Sequence, residues 1–205
     1  MLRTVVLLPT YNERENVGPI ISEIFAAHPD IEILVIDDNS PDGTADEIRV
    51  LQNRYPQLSL LSRAGKEGLG VAYKAGIREV LARDDVERVV MMDADGSHAA
   101  SYLTDLFSAS DTNDFVIGSR YIPGGGIENW EGWRYGLSYW GNAYARLLTG
   151  LPIKDLTAGF YCIRAPLLRR MDLDALKSSG YAFQIDIKFH ASHDLGASMI
   201  EVPIV

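Results

Sequence analysis

Residues 89–98 read VVMMDADGSH. Four apolar residues run straight into Asp93 and Asp95, two carboxylates separated by one alanine. Set among strand and helix patterns of matching length, such a short apolar run reads as a strand buried on both faces. Residues i and i+2 of an extended segment point to the same side, so both carboxylates can face one ligand. Two carboxylates held close together resist joint ionisation, and a cation is the natural third party. Magnesium and manganese suit the pair: they are hard ions that take one or two carboxylates and complete their shell with water and phosphate oxygens. A plain turn built from Asp, Gly and Ser is the alternative.

The pattern around this stretch predicts an α/β protein. Strands are expected at 2–8, 31–36, 58–61, 88–92 and 115–118, with helices near 13–28, 43–55, 69–82 and 100–110. The strands are continuous apolar runs and the linkers are short, which favours an open, mainly parallel sheet with helices on both faces. Polar residues follow four of the five strands: PTYNE, DDNSPDG, DADGSH and GSRY. Ligands of open α/β sheets bind beyond the carboxyl ends of the strands, so these four loops mark a site.

The 205 residues carry 47% apolar and 23% charged side chains, ordinary for a soluble domain, and a single domain over residues 1–205 is expected. A net charge of −9 argues against broad contact with nucleic acid. Within that acidic chain, Arg134, Arg146, Lys154, Arg164, Arg169 and Arg170 form a locally basic stretch, which suggests a local anionic partner. Cys162 is the only cysteine, so no internal disulfide is possible and a reducing compartment is the better expectation. The first residues read as a strand, not a signal peptide, and no run approaches a membrane span, so work on lipid would be done from the surface.

Other segments leave two readings open. Asp37 and Asp38 end the second strand; one could cap the following turn while the other accepts hydrogen bonds from a ribose or base. Gly68 and Gly70 open a helix and could favour an anion, or simply start it. Neither the dinucleotide fingerprint nor the P-loop is present. The three glycines 124–126 suit a segment that closes over ligand, or a surface loop. All three tryptophans fall within 130–140, with Tyr135, Tyr139 and Tyr144; interleaved with arginine they suit a membrane interface or an aromatic core helix. His190 and His193 have no completing ligands in sequence and read as structural.

Taken in order, LLPTYNE, VIDDNSPDGT, GLGVAYKAG, MMDADGSH, GSRY, GGGIENW, AGFYCIR and GYAFQID resemble the polyprenol-phosphate (dolichol-phosphate) mannose synthases. These are members of the inverting glycosyltransferase family 2, with the GT-A fold. The resemblance runs from about residue 4 to the end. It implies transfer of mannose from GDP-mannose to a polyprenyl phosphate, with Mg2+ or Mn2+, at the cytoplasmic face of a membrane. It places Pro9, Tyr11 and Glu13 at the base, Asp38 at the nucleoside, and Asp93 and Asp95 on the metal and diphosphate. Arg120 and Arg134 would hold the acceptor phosphate, and Asp95, Arg120 and Arg134 would be the catalytic residues.

Two departures stand out. Ser97 occupies a place where such synthases often carry a glutamine, and the family's chain normally continues past EVPI into a basic segment. Such a segment, or an anchoring partner, would complete membrane attachment. A phosphate acceptor is already largely anionic near neutral pH and needs no general base. Were the acceptor a hydroxyl, Asp155 would be the candidate base; otherwise it positions acceptor, sugar or arginines. Another donor such as UDP-glucose, a hydroxyl acceptor, and a non-catalytic sugar-nucleotide-binding domain are the competing expectations.

Overall fold

The computed structural model describes residues 3–127 and 132–205, apart from the side chains of residues 132, 134, 135 and 181. Among the described residues seven strands form one sheet: β1 Arg3–Thr10, β2 Glu32–Asp37, β3 Leu58–Ser62, β4 Val86–Met91, β5 Phe115–Ser119, β6 Tyr161–Arg164 and β7 Met199–Pro203. Their spatial order is β3-β2-β1-β4-β6-β5-β7. All run parallel except β6, which lies antiparallel between β4 and β5. The helices are α1 Arg14–Ala27, α2 Thr44–Gln52, α3 Leu69–Leu81, α4 Leu103–Ser110, α5 Gly132–Thr149, α6 Ala165–Arg170 and α7 Tyr181–His193.

The apolar runs become strands because both faces of the sheet are covered. Val5, Leu7, Val89 and Met91 face one core with α3, α6 and α7, while Val6, Leu8, Val90 and Met92 face the other with α1 and α4. The period of two therefore divides each run between two interiors, and no polar face is left to mark the alternation.

Chain direction places the site. From β1 the chain moves outward to β2 and β3, then returns to β4 on the other side of β1, so the order switches between β1 and β4. The carboxyl ends of β2, β1, β4 and β5 share one edge, as expected for a ligand crevice. Because β6 is reversed, residues 155–160, which precede it, arrive at that same edge.

The predicted elements through β5 match, with ends displaced by a few residues; Pro9 and Thr10 belong to β1 rather than to the loop after it. The glycine run is a loop, and one of its residues has a packing reason. A Cβ on Gly125 would lie 2.5 Å from the Ser119 carbonyl oxygen. Gly126 N–H donates to the Ile204 carbonyl at 2.9 Å. Close backbone approach accounts for glycine at position 125, and a φ of 90° accounts for it at position 124. The basic stretch also disperses: Arg164 pairs with Arg88 in the β4–β6 register, and Arg169 donates to the Arg83 carbonyl at 2.7 Å, both at the opposite edge of the sheet.

Candidate functional site

At the β1–β2 end, two loops are stitched together by side chains. Asn12 N–H donates to Ser40 Oγ at 3.0 Å, and Glu13 N–H to Thr44 Oγ1 at 3.1 Å. Asn12 and Asn39 both take positive φ, 63° and 59°, which asparagine tolerates better than most residues. Asp37 is buried and spends its carboxylate on the turn, accepting from Thr10 Oγ1 at 3.1 Å, Ser40 N–H at 3.0 Å and Ser40 Oγ at 2.6 Å. That makes Asp37 the architectural acid of the pair. Asp38 is also buried and accepts from Arg63 Nη1 at 2.5 Å.

Tyr11 stands at the surface beside them, with the Lys66 ammonium 4.0 Å from its ring centroid. The Glu13 carboxylate accepts from Asn16 Nδ2 at 2.8 Å, and Pro9 is half-buried within β1. Tyr11, Glu13 and Asp38 thus lie on adjoining loops, with Pro9 at the strand end beneath them.

Asp93 and Asp95 occupy the loop directly after β4. Asp93 is recessed: Tyr73 hydroxyl donates to Oδ1 at 3.3 Å, and a Cβ on Gly159 would stand 2.8 Å from Oδ2. Burial, with the Asp95 charge as a lesser contribution, pushes the Asp93 carboxyl above its ordinary range, against lowering by His98, Tyr73 and Arg120. Asp95 is exposed, and Ser97 N–H donates to its Oδ1 at 2.9 Å, so residue 97 orients Asp95 through its backbone.

A recessed carboxylate whose ionisation is penalised, beside a second carboxylate open to solvent, fits a hard dication. No third His, Cys, Asp or Glu completes a cluster with them among the described residues. Water and phosphate oxygens would have to fill the remaining positions.

His98 was not singled out in the sequence. It is stacked on Phe160 with centroids 4.9 Å apart, and its Nδ1 accepts the Asp93 N–H at 3.2 Å. Burial lowers its pKa, in keeping with a neutral ring that accepts.

Arg120, at the end of β5, is fixed by Asp155. Its Nε donates to Oδ2 at 2.7 Å and its Nη2 to Oδ1 at 2.8 Å, and its backbone N–H reaches Oδ2 at 3.1 Å. Asp155 is fully buried, and its own N–H donates to Glu201 Oε1 at 2.9 Å. The side chain of Arg134 lies outside the described residues; its backbone is in the first turn of α5.

Hydrogen bonds tie α5 to this arm, that from Thr157 N–H to Asn142 Oδ1 at 3.1 Å among them. Tyr121 hydroxyl donates to Ser138 Oγ at 2.8 Å, and Asn142 Nδ2 donates to Thr157 Oγ1 at 3.1 Å. Thr157 Oγ1 in turn accepts from Arg120 Nη2 at 3.3 Å. The outer face of α5 carries Leu137, Trp140, Tyr144 and Leu147, which are 70%, 72%, 64% and 80% exposed. The aromatic helix is therefore not a core helix.

Gly70 has a packing reason, since a Cβ there would meet Phe183 at 2.7 Å. His193 Nε2 lies 2.9 Å from the Thr149 carbonyl oxygen, and His190 Nδ1 contacts Asp194. A cleft of about 360 Å³ lined by Thr4, His28, Arg88 and Phe107 lies near the opposite edge and contains none of the residues singled out.

A profile of glycosyl transferase family 2 matches residues 5–175. The chain belongs to glycosyl transferase family 2. It is therefore a glycosyltransferase, and the motif resemblance holds among named relatives. It is 46% identical to the polyprenol monophosphomannose synthase of Mycolicibacterium smegmatis, over 98% of this chain and 76% of that protein. It is 43% identical to the undecaprenyl-phosphate mannosyltransferase of Micrococcus luteus, over 99% and 83%.

Among solved structures, a mannosyltransferase from Pyrobaculum calidifontis in complex with GDP-Man and Mn2+ superposes with a TM-score of 0.63 at 19% identity, covering 98% of this chain and 55% of that one. Glucosyl-3-phosphoglycerate synthase from Mycobacterium tuberculosis, in complex with Mn2+, UDP and phosphoglyceric acid, gives 0.71 at 19%, covering 100% and 69%. These likenesses show the fold, GT-A.

Proposed function

We propose that this family 2 glycosyltransferase moves mannose from GDP-mannose to a polyprenyl phosphate at a membrane surface, inverting the anomeric centre. The observation that carries this reading is the attachment of α5 to Arg120. A helix with an exposed apolar stripe is hydrogen-bonded to the residues that fix a guanidinium, and the Arg120 charge is close enough to act on Asp93. A lipid phosphate has the matching chemistry, an anionic head joined to an apolar tail. The relatives named for polyprenol and undecaprenyl phosphate support the same acceptor class.

In the reaction an acceptor phosphate oxygen bonds to the anomeric carbon while the bond from that carbon to the diphosphate oxygen breaks, and the electron pair leaves with GDP. Tyr11, Glu13 and Asp38 bind the nucleoside above Pro9. Asp93 and Asp95 hold Mg2+ or Mn2+, which would supply Lewis-acid stabilisation of the departing diphosphate. Arg120, joined by Arg134 from α5, orients the acceptor and offsets the repulsion between one anion and another. No carboxylate need take a proton from a phosphate oxygen that is already ionised.

The test incubates the purified chain with labelled GDP-mannose, manganese or magnesium and a short polyprenyl phosphate, then extracts the lipid phase. Label in an acid-labile glycolipid, abolished by Asp95→Ala, is the expected result. Label transferred only from UDP-glucose, or only to a hydroxyl acceptor, would overturn the donor or the acceptor assignment. Tight GDP binding without turnover on any acceptor would indicate a binding domain.

A further inference from the structure

Lys188, on α7, is a charged side chain in the core next to the site, and the reaction described above does not use it. It is fully buried. Its ammonium donates to the Ala158 carbonyl at 2.8 Å, to Leu156 at 3.0 Å and to Gln184 at 3.1 Å, so all three of its donors are spent on backbone. The same ammonium lies 4.7 Å from the Tyr161 ring centroid. Burying a cation is costly unless it is well paired, and a simple packing position would be filled more cheaply by an apolar residue.

What Lys188 grips explains the expense. Residues 155–159 carry Asp155 at one end, the carboxylate that fixes Arg120, and Gly159 at the other, the bare backbone against which Asp93 sits. The two carbonyls that Lys188 binds lie between those ends. We propose that Lys188 is a positioning residue, holding residues 155–159 so that the Arg120 arm and the Asp93 arm keep one fixed separation. The role rests on the proposed reaction, since that separation is the one an acceptor phosphate and a nucleotide diphosphate would share.

Its charged form is the one that acts, because an ammonium has three donors for three carbonyls and a neutral amine has two. The groups around it pull in both directions. Asp155 and Glu201 favour the charge, while burial and Arg120 oppose it and bring the group down to about 7.

The experiment compares the full chain with Lys188→Met and Lys188→Gln. GDP binding is titrated by calorimetry with and without Mn2+, and glycolipid formation is followed over a range of acceptor concentrations. The expected result is metal-free GDP affinity within about 2-fold of the parent, loss of about 10-fold or more of the gain that Mn2+ gives, and a raised acceptor KM. Lys188→Gln, whose amide keeps two donors, should fall between the parent and Lys188→Met, and it covers the case in which Lys188→Met does not fold.

An unchanged Mn2+ gain with an unchanged acceptor KM would overturn the proposal. So would a parallel fall of metal-free and metal-dependent GDP affinity, which is the mark of general loosening. The GDP and Mn2+ titration needs no acceptor. A parent chain that binds GDP with Mn2+ yet forms no glycolipid therefore overturns the proposed reaction, while the Mn2+ gain still decides the role of Lys188.

Discussion

Asp155 accepts two side-chain hydrogen bonds from Arg120, at 2.7 and 2.8 Å, from a fully buried position. A two-point hold of this kind fixes the plane of the guanidinium as well as its place. It also commits both carboxylate oxygens, which suits Asp155 to orienting Arg120 and not to accepting a proton from an acceptor. Asp155→Asn should raise the acceptor KM by about 10- to 100-fold and leave the sugar-nucleotide KM within about 3-fold. The basic limb of the pH–rate profile should survive; its loss near neutrality would mark Asp155 as a base instead.

Asp95→Ala should remove the dependence on added Mn2+ along with about 10³-fold or more of activity, in the range found when one charge-stabilising group is deleted. Because Asp95 is exposed, the thermal midpoint should hardly move. Activity against metal concentration, with a melting curve on the same sample, separates lost metal binding from lost folding.

Gly159→Ala tests the seat of Asp93. The added Cβ would lie 2.8 Å from Oδ2, too close for either group to stay in place. A fall of about 10- to 100-fold in kcat is expected. Wild-type kcat with wild-type metal affinity would show that Asp93 can shift without consequence.

Lys188 makes the pH dependence of stability specific. Its folded pKa, about 7, lies below the ordinary 10.5, so between those values the unfolded chain binds more protons than the folded one and stability contributed by this group rises with pH. The penalty of burying the charge is fully present below about pH 7 and is relieved as pH rises toward 10.5. Lys188→Met abolishes that titration. The melting temperature of the variant minus that of the parent should therefore fall by several degrees between pH 6 and pH 9.5, on the order expected for a domain of this size. A difference independent of pH would assign the group an ordinary lysine titration.

The exposed stripe on α5 predicts a separation of lipid binding from chemistry. Replacing Leu137, Trp140 and Leu147 together by serine should weaken binding to phospholipid vesicles by about 10-fold or more, from the apolar area lost. Turnover of a short, water-soluble polyprenyl phosphate should stay within about 3-fold. Equal losses on vesicles and on the short acceptor would place the stripe in substrate binding alone.

The sequence by itself determined the alternation of strands and helices through β5 and the edge at which chemistry collects. Apolar runs and turn residues are local signals, and in a parallel sheet each strand end delivers its loop to the same side. It also singled out Asp93, Asp95 and Arg120, because charges at strand ends are conspicuous. It set Asp38 at the nucleoside by resemblance, but the structural duty of Asp37 rests in part on Thr10, which lies 27 residues away from Asp37. It did not reveal His98 or Lys188, although Gln184 and Lys188, one helical turn apart on the buried face of α7, left a faint polar signal. Only the tertiary structure decided that Asp155 faces Arg120, that Gly159 backs Asp93 and that the aromatic helix points outward. The first two relations follow from the reversal of β6, a four-residue strand too short to announce its direction. Contacts between segments far apart in the chain arise from packing, and packing is a property of the assembled sheet, not of any one stretch of residues.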